Sequence, residues 1–433
     1  MRLEAGIRES GILLYKLFEA QHTALAPLRF VSEMTHAWLS HPLSPWAWTP
    51  ASRRLAAGQD LFLRVTQRYE KPEWGISGVE VGDERVALSI ETDLAKPFCN
   101  LIRFRRHDEG QARALLPKVL LVAPLSGHHA TLLRDTVAAL VADHEVWVTD
   151  WVDGRLVPLS QGSFGLSTYV EYIIEFARHL APDLSIVSVC QPTVPVLAAV
   201  SLMATRGDPS PRAMVMMGGP IDARKSPTSV NNLATRKPLS WFEHNVIARV
   251  PARYAGYNRR VYPGFLQHLG FVAMNPDRHL GAHWDYYNHL IAGDGQSAQA
   301  HRRFYDEYNA VLDLPAEYYL DTIRTVFQDF ALPKGRMFVG EELVRPAAIR
   351  DTALLTIEGE KDDISGNGQT RAAHELCTGI SEAKREHYEA PGVGHYGIFS
   401  GRRWREMIYP RIRSFIRDSA ARQRRSVSRA HSS

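Results

Sequence analysis

The sequence predicts an α/β protein in which a helical insertion splits a mostly parallel, doubly wound sheet. From Pro117 onward, short apolar runs alternate with helical stretches, a pattern typical of strands buried on both faces. This alternation stops between about Asp222 and Ile349, where aromatic and histidine residues are frequent, and it returns at Ala353–Ile357. An aromatic-rich helical insertion between two halves of one sheet indicates a cap over an α/β core, and such caps shape substrate clefts.

The core elements follow from this alternation. Strands are predicted at Lys118–Pro124, Glu145–Val152, Leu184–Val189, Arg212–Gly218, Ala353–Ile357 and Arg385–Tyr388. Helices are predicted at Thr131–Ala142, Tyr169–Leu180, Val194–Thr205, Thr370–Cys377 and Arg403–Phe415. Helices joining successive strands favour a parallel sheet. Before the core, helical spacing at the start of the chain and over Ala56–Tyr69 is followed by strand-like patches at Ile76–Phe104, with a loop at His41–Pro50 between the helices.

These elements divide the chain into five segments. They are an N-terminal helical and strand extension (1–105), the first half of the core (106–222), a helical cap (223–349), the second half of the core (350–417) and a disordered basic tail (418–433).

Composition excludes several classes of protein. Of 433 residues, 45% are hydrophobic and 23% are charged, as in ordinary globular chains. The net charge is +4, but residues 401–433 hold ten arginines and two acidic residues, so the rest of the chain carries about −4 and is not a nucleic-acid binder. The longest apolar runs, such as Val194–Met203, fall short of the roughly 18 residues of a membrane span. Charged residues near the N-terminus predict no signal peptide, and therefore a cytoplasmic protein with reduced cysteines.

Reactive side chains follow three of the predicted strands. Cys190 ends the third strand of the first half, Asp362 and Asp363 follow Ala353–Ile357, and His395 follows Arg385–Tyr388. The carboxyl ends of parallel strands meet at one edge of a sheet, where active sites lie. The order nucleophile, acid, histidine is that of α/β-hydrolases, and it predicts covalent acyl transfer through a Cys-His-Asp triad.

Each candidate has a structural alternative. A cysteine at a strand end is often only a small core residue, and here Ser188 and Pro192 replace both glycines of the usual Gly-x-Ser-x-Gly elbow. Pro192 nevertheless suits the first turn of a helix, whose N-terminus stabilises a thiolate. For the acid, Asp362, Asp363 and Asp222 all remain open at this stage.

The loop Leu125–Ala130 follows the first core strand, the position that supplies half of an oxyanion hole in this fold. The backbone N–H groups of Ser126 and Gly127, together with that of Gln191, are the predicted donors. Ser126 is itself a weaker candidate nucleophile, because it lies in the wrong loop. His279 and His283 have the i, i+4 spacing of a zinc pair, but no glutamate follows His279 and packing is the favoured interpretation, so no metal site is predicted.

Several motifs together resemble a known family. They are Pro124–Arg134, Thr149–Asp153, Val189–Pro192, Met217–Asp222, Tyr262–Gln267, Glu358–Ser365 and Pro391–Gly397. In combination they resemble the intracellular poly(3-hydroxybutyrate) depolymerases of bacteria, from about Leu13 to Phe415.

The resemblance implies an α/β-hydrolase that hydrolyses amorphous polyhydroxybutyrate to 3-hydroxybutyrate oligomers and monomer. It implies a cysteine nucleophile at Cys190, with Asp362 and His395 completing the triad. Asp362 is chosen over Asp363 because it matches an Asp-x-Ile step also seen in the related polymer synthases. The implied partner is the storage-granule surface in the cytoplasm, and no metal or organic cofactor is needed. Side-chain length specificity, endo or exo cleavage, the acyl acceptor and homo-oligomer formation stay open.

Two other functions fit parts of the pattern. A polyhydroxyalkanoate synthase runs similar chemistry in the direction of polymerisation, but such enzymes resemble Gly-x-Cys-x-Gly at the elbow, where this chain has Ser188 and Pro192. The other alternative is a catalytically idle granule-coat protein that binds polymer through its aromatic cap. The complete set of three reactive residues argues against that alternative.

Overall fold

A large mixed sheet organises the molecule in a computed structural model that describes residues 2–41, 43–45, 49–107, 116–274 and 276–430. Its nine strands are β1 (Gly78–Val81), β2 (Glu84–Lys96), β3 (Cys99–Arg106), β4 (Lys118–Val122), β5 (Glu145–Trp151), β6 (Leu184–Val189), β7 (Ala213–Met217), β13 (Ala353–Gly359) and β14 (Arg385–Ala390). The five remaining strands are β8 (Ala248–Arg249), β9 (Arg260–Tyr262), β10 (Leu314–Pro315), β11 (Phe338–Val339) and β12 (Glu342–Leu343).

The strand order of the large sheet is β1-β2-β3-β5-β4-β6-β7-β13-β14. The six strands from β5 to β14 are parallel, whereas β1, β2 and β3 form an antiparallel extension that joins the sheet beside β5. Strand β6 is fully buried, which is why its sequence is continuously apolar or small rather than alternating. The predicted core strands all form, with ends shifted by at most two residues.

The helices lie on both faces of the sheet and in the cap. They are α1 (Arg2–Ser40), α2 (Pro50–Thr66), α3 (Arg134–Asp143), α4 (Leu166–Leu180), α5 (Thr193–Arg206), α6 (Ser229–Arg236), α7 (Leu239–Asn245), α8 (Gly264–Met274), α9 (Pro276–Ala292), α10 (Gly295–Asn309), α11 (Ala316–Thr322), α12 (Ala373–Leu376), α13 (Gly401–Arg403) and α14 (Tyr409–Ala430). Wider helical turns at Ile323–Gln328 and Trp404–Ile408 extend α11 and link α13 to α14. Short 3₁₀ turns form at Ala130–Leu133, Gly154–Leu156, Leu159–Gln161, Pro346–Ala348, Glu382–Lys384 and His395–Ile398.

The N-terminal segment is divided differently from the predicted extension. Strand β3 crosses the predicted boundary at residue 105 and contributes Leu101 and Phe104 to the main core. Helix α1 instead packs on the cap, where Tyr15 joins a small cluster with Val250 and Val261. The strand-like patches were visible in the sequence, but nothing local indicates which sheet they join, because pairing is a long-range choice.

The cap is not wholly helical, in contrast to the prediction. Helices α6 to α11 are accompanied by a three-stranded antiparallel sheet of β8, β9 and β10. A seam of buried polar groups joins this cap to the core. Asp153, just after β5, accepts from the backbone N–H of Asp313 at 3.1 Å, and the hydroxyl of Tyr15 donates to the Asp313 carboxylate at 2.6 Å.

The C-terminal part differs from the sequence prediction in two places. The helix predicted at Thr370–Cys377 is confined to the four residues of α12, and the backbone N–H groups of Thr370 and Arg371, just before it, donate to Glu358. Helix α14 continues to Ala430, so residues 418–430 are helical instead of the predicted disordered tail, and 431–433 lie outside the described residues. Part of the predicted loop at His41–Pro50 (42 and 46–48) lies outside them as well. Among the described helices, none combines the length and apolarity needed to cross a membrane.

Candidate active site

Cys190 occupies a sharp turn between β6 and α5. Its φ of 67° lies in the left-handed region, which L-residues rarely adopt and which characterises the exposed nucleophile of a strand–turn–helix elbow. The turn is held from both sides, since the N–H of Cys190 donates to Met217 O at 2.7 Å and its carbonyl accepts from Thr193 N at 3.1 Å. Ser188 and Pro192 therefore form an elbow without the usual glycines.

The glycines that make room for this elbow lie instead at the end of β7. A Cβ on Gly219 would collide with the hydroxyl of Thr193 and the carbonyl of Cys190. A Cβ on Gly218, whose φ is 55°, would approach the Asp362 carboxylate to 3.2 Å and the His395 ring to 3.4 Å. The close approach that Gly-x-Ser-x-Gly glycines permit is thus supplied by Gly218 and Gly219 on the neighbouring strand.

His395 and Asp362 form a buried pair beside the elbow. Nδ1 of His395 lies 2.8 Å from Oδ2 of Asp362, and both side chains are at most 5% exposed. The other carboxylate oxygen, Oδ1, accepts from the backbone N–H groups of Ile364 and Ser365 at 2.9 and 2.8 Å. Asp362 is thereby fixed in one orientation, and it fixes the imidazole in turn.

The two alternative acids point elsewhere. Asp363 is exposed and borders a different cavity from the one that Cys190 faces. Asp222 is engaged by Arg224, whose Nε and Nη2 approach its two carboxylate oxygens at 2.8 Å each. The geometry therefore brings Asp362, and not Asp363 or Asp222, to His395.

Electrostatics favour a protonated His395. Burial alone would lower the pKa of this imidazole, but the Asp362 carboxylate and Cys190 outweigh burial and raise the pKa well above its usual value. Cys190 is half-buried, whereas the other two thiols are fully buried, and burial raises the pKa of Cys377 to about 12. Of the three cysteines, Cys190 alone combines access with a basic partner.

The loop after β4 faces the elbow. Gly127 has a φ of 107°, and the side chain of Gln267 packs directly against it while donating from Nε2 to the carbonyl of Ser126. The Gly127 carbonyl is occupied by the N–H of Leu312 at 2.7 Å. Because the carbonyls of Ser126 and Gly127 both accept hydrogen bonds from cap residues, these contacts hold the loop in one conformation. Ser126 and Gln191 border the same cavity as Cys190.

A mainly apolar cavity of about 440 Å³ opens in front of Cys190 and His395. Its walls come from both the core and the cap, and they include Leu125, Leu132, Phe271, Tyr319, Phe327 and Phe399. No arginine, lysine, aspartate or glutamate borders it among the described residues. Its size and lining suit a neutral acyl group.

One end of this cavity is polar. The hydroxyls of Tyr318 and Thr322 and the side-chain amide of Gln191 are buried there, and within the described part of the chain none of them makes a well-formed hydrogen bond. Buried polar groups are ordinarily paired. Tyr318 lies close enough to interact with Thr322 and Gln191, and the three side chains offer polar atoms to a ligand.

A second cavity, of about 590 Å³, lies on the other side of His395. The two cavities share a wall made of Phe271, Ile364, His395 and Tyr396. Unlike the first, the second cavity is bordered by charged side chains: Arg278, Lys361 and Asp363.

Sequence reasoning missed the residues that the cap contributes. Gln267 belongs to the motif Tyr262–Gln267, which signalled a family without indicating a role. Lys361 likewise lies in the motif Glu358–Ser365 without an indicated role, and Arg278 carries no local signal, because only the fold brings α9 and the loop after β13 together. His279 contacts tyrosines with both ring nitrogens, Tyr305 at 3.0 Å and Tyr308 at 3.3 Å. These contacts agree with the packing interpretation of that histidine.

The parallel strand order, the strained elbow and the chain order of Cys190, Asp362 and His395 define an α/β-hydrolase. Residues 218–420 match the family model described as PHB de-polymerase C-terminus, which supports an assignment to that family. The resemblance seen in the sequence is confirmed, and the family supports ester hydrolysis. No curated protein is significantly similar to the chain.

Solved structures with a similar arrangement include three hydrolases. A monoacylglycerol lipase from Paleococcus ferrophilus is 14% identical, covers 70% of this chain and 96% of its own, and has a TM-score of 0.42. The 2-hydroxy-6-oxo-6-phenylhexa-2,4-dienoate hydrolase from Rhodococcus sp. strain RHA1 is 13% identical over 76% and 100% of the two chains, with a TM-score of 0.42. A thermophilic esterase from Thermogutta terrifontis is 13% identical over 80% and 98%, with a TM-score of 0.39.

Proposed function

We propose that the protein is an intracellular depolymerase that hydrolyses the ester bonds of amorphous polyhydroxybutyrate through a thioester on Cys190. The observation that carries this proposal is that Cys190 and His395 meet at an apolar cavity, with His395 bound behind it to Asp362 at 2.8 Å. The family match over residues 218–420 supports the substrate. A neutral polyester also suits a cavity whose described wall holds no lysine, arginine, aspartate or glutamate.

The first half of the reaction forms the acyl-enzyme. Asp362 holds Nδ1 of His395, so Nε2 remains to take the proton of the Cys190 thiol, and the raised pKa of His395 favours the resulting imidazolium. The thiolate attacks the ester carbonyl, whose oxygen becomes negative. The backbone N–H groups of Ser126, Gly127 and Gln191 are the proposed donors to that oxygen, and one such donor contributes a factor of about 10²–10³ in rate.

The second half releases the acid. When the C–O bond breaks, the imidazolium of His395 protonates the leaving alkoxide, which belongs to the rest of the polymer. Water then attacks the thioester and gives up its proton to His395, which returns it to the Cys190 sulfur as the 3-hydroxybutyryl product departs. The apolar cavity holds the acyl chain during both steps.

Release of 3-hydroxybutyrate from amorphous granules tests this proposal. We expect Cys190→Ala to lose activity by roughly a thousandfold or more, because the covalent step has no substitute nucleophile. Cys377→Ala is the matched control, since it removes a thiol that is buried away from the cavity, and we expect its activity to stay within about threefold. Melting temperatures of both variants establish that they are folded.

The outcomes separate the alternatives. Equal activity of Cys190→Ala and the parent protein contradicts the proposed nucleophile. Granule binding without hydrolysis by the parent protein favours a coat protein, and polymer formation from 3-hydroxybutyryl-CoA favours a synthase. Granule association itself is measured in the same samples by sedimentation with the polymer.

A further inference from the structure

The second cavity differs from the first in charge, although they meet at the same histidine. The exposed side chains of Arg278 and Lys361 border it together with that of Asp363. Asp363 contributes one negative charge, so the three side chains together carry a net charge of about +1. Two exposed cations beside one exposed carboxylate leave a net positive charge that can bind an anion.

His279 and His301 in this wall add no charge at neutral pH, and the charge of His395 is matched by the Asp362 carboxylate. Burial, with the help of His283, lowers the pKa of His301 to about 4. Burial and the charge of Arg278 also lower the pKa of His279. The positive character of the second cavity therefore comes from Arg278 and Lys361, and it persists throughout the neutral pH range.

Tyr396 connects this charged region to the reaction centre. Its ring lies in the wall between the cavities, directly after His395 in the chain. Burial raises the pKa of Tyr396, and both Cys190 and Arg278 are close enough to act on it. A molecule that reaches from the Cys190 sulfur past His395 thus extends toward Arg278.

The chemistry of a polyester assigns each cavity to one side of the broken bond. When the thiolate attacks, the acyl fragment that stays on sulfur carries the hydroxyl end of the chain. The alkoxide that leaves, and takes its proton from His395, carries the carboxylate end. Only the leaving fragment therefore bears a negative charge, and among the described residues arginine and lysine border the second cavity and not the first.

We propose that the second cavity binds the leaving fragment and that Arg278 and Lys361 hold its terminal carboxylate. This inference rests on the proposed function and deepens it: the preferred soluble substrates are short 3-hydroxybutyrate oligomers with a free acid end, cleaved near that end. A cavity of about 590 Å³ accommodates such a fragment. Arg278 and Lys361 are then specificity residues that act on binding.

Binding to Cys190→Ala tests the proposal without turnover. The probes are the 3-hydroxybutyrate trimer as the free acid and as its methyl ester, measured by calorimetry. We expect the acid to bind about tenfold or more tightly than the ester, and the preference to vanish in the added double variant Arg278→Gln, Lys361→Gln. Arg54→Gln is the matched control, because Arg54 is an exposed arginine of α2 that borders neither cavity.

Three results overturn the proposal: equal binding of acid and ester, an acid preference that survives the double variant, or an equal loss of both ligands in that variant. Loss of the preference in Arg54→Gln also counts against it, because the effect is then one of overall charge. If Cys190→Ala hydrolyses the trimer, that result contradicts the proposed nucleophile and not the binding of the carboxylate. The preference for the acid over the ester is then measured from the KM of each substrate.

Discussion

The core edge and the cap build the same cleft in different ways. On the core side, Cys190, Asp362 and His395 each follow a strand of one parallel sheet, so their positions depend on backbone connections. On the cap side, Gln267, Phe271 and Arg278 come from helices whose placement depends on packing. The chemistry is therefore fixed by strand ends, while the shape and charge of the cleft depend on the insertion.

The largest expected effect distinguishes Asp362, the proposed triad acid, from the neighbouring Asp363. In Asp362→Asn the new amide can donate to Nδ1 of His395, which holds the ring in the wrong tautomer, so we expect kcat to fall about 10³–10⁴-fold. For Asp363→Asn and Asp222→Asn we expect less than a tenfold change, measured on granules. A large loss in Asp363→Asn with full activity in Asp362→Asn contradicts the assignment made from this geometry.

Glycine-to-alanine changes compare the two regions directly. Gly219→Ala places a methyl group against Thr193 and the Cys190 carbonyl, so the elbow must move, and we expect kcat to fall at least about 100-fold. Gly281→Ala, in the exposed face of cap helix α9, meets nothing within 4 Å. We expect it to raise stability by about 0.5–1 kcal/mol, because alanine favours the helix.

Steady-state kinetics and thermal unfolding measure both variants. If Gly219→Ala keeps its full kcat, the elbow at the core edge tolerates a displaced backbone. The core edge is then no more tightly fixed than the cap. A lower melting temperature in Gly281→Ala shows that this helix position is constrained by contacts beyond its own backbone.

The smallest effect concerns the seam between core and cap. Burial and the neighbouring Asp313 carboxylate raise the pKa of Asp153 to about 7. The folded protein thus holds a proton that the unfolded chain loses near pH 4, and this group favours folding less as pH rises toward 7. Asp153→Asn removes that dependence, so its melting temperature relative to the parent should be higher at pH 8 than at pH 5, by about 2 °C or more.

Subtracting the parent's melting temperature from that of the variant cancels the contribution of the buried histidines, because both proteins contain them. The lowered pKa values of these histidines change stability with pH in the opposite direction. His128 and His301, for example, have pKa values lowered to about 4, mainly by burial, and they favour the folded state more as pH rises. If the difference in melting temperature between Asp153→Asn and the parent is the same at pH 5 and pH 8, the pKa of Asp153 is not raised in the folded protein.

The core could be predicted from sequence because its signals are local. Continuous apolar runs identify buried strands, and the residue after each strand is then a candidate for the active edge, which was enough to select Cys190 and His395. The acid could not be chosen from local signals alone, since Asp362 and Asp363 are adjacent and differ only in direction. The antiparallel strands β1 to β3 were recognised as strand-like, but their partner was not, because sheet pairing is a long-range choice.

The cap could not be predicted in the same detail. Its aromatic residues indicated an insertion, but the role of Gln267 depends on a contact with Ser126, 141 positions away along the chain. The same holds for Tyr15, whose hydroxyl reaches Asp313 from a helix at the opposite end of the sequence. Contacts between side chains that are far apart in the chain produce no periodic pattern in the sequence.

The strained turn at Cys190 also bears on how much this protein can be altered. An L-residue held at a φ of 67° costs of order 1–3 kcal/mol, and the surrounding hydrogen bonds and glycines must offset that cost. Evolution toward higher stability would relax such a turn, whereas selection for activity retains it. The elbow is thus the place where robustness of the fold and reactivity of the thiol are in competition, and stabilising changes elsewhere determine how many other substitutions the chain tolerates.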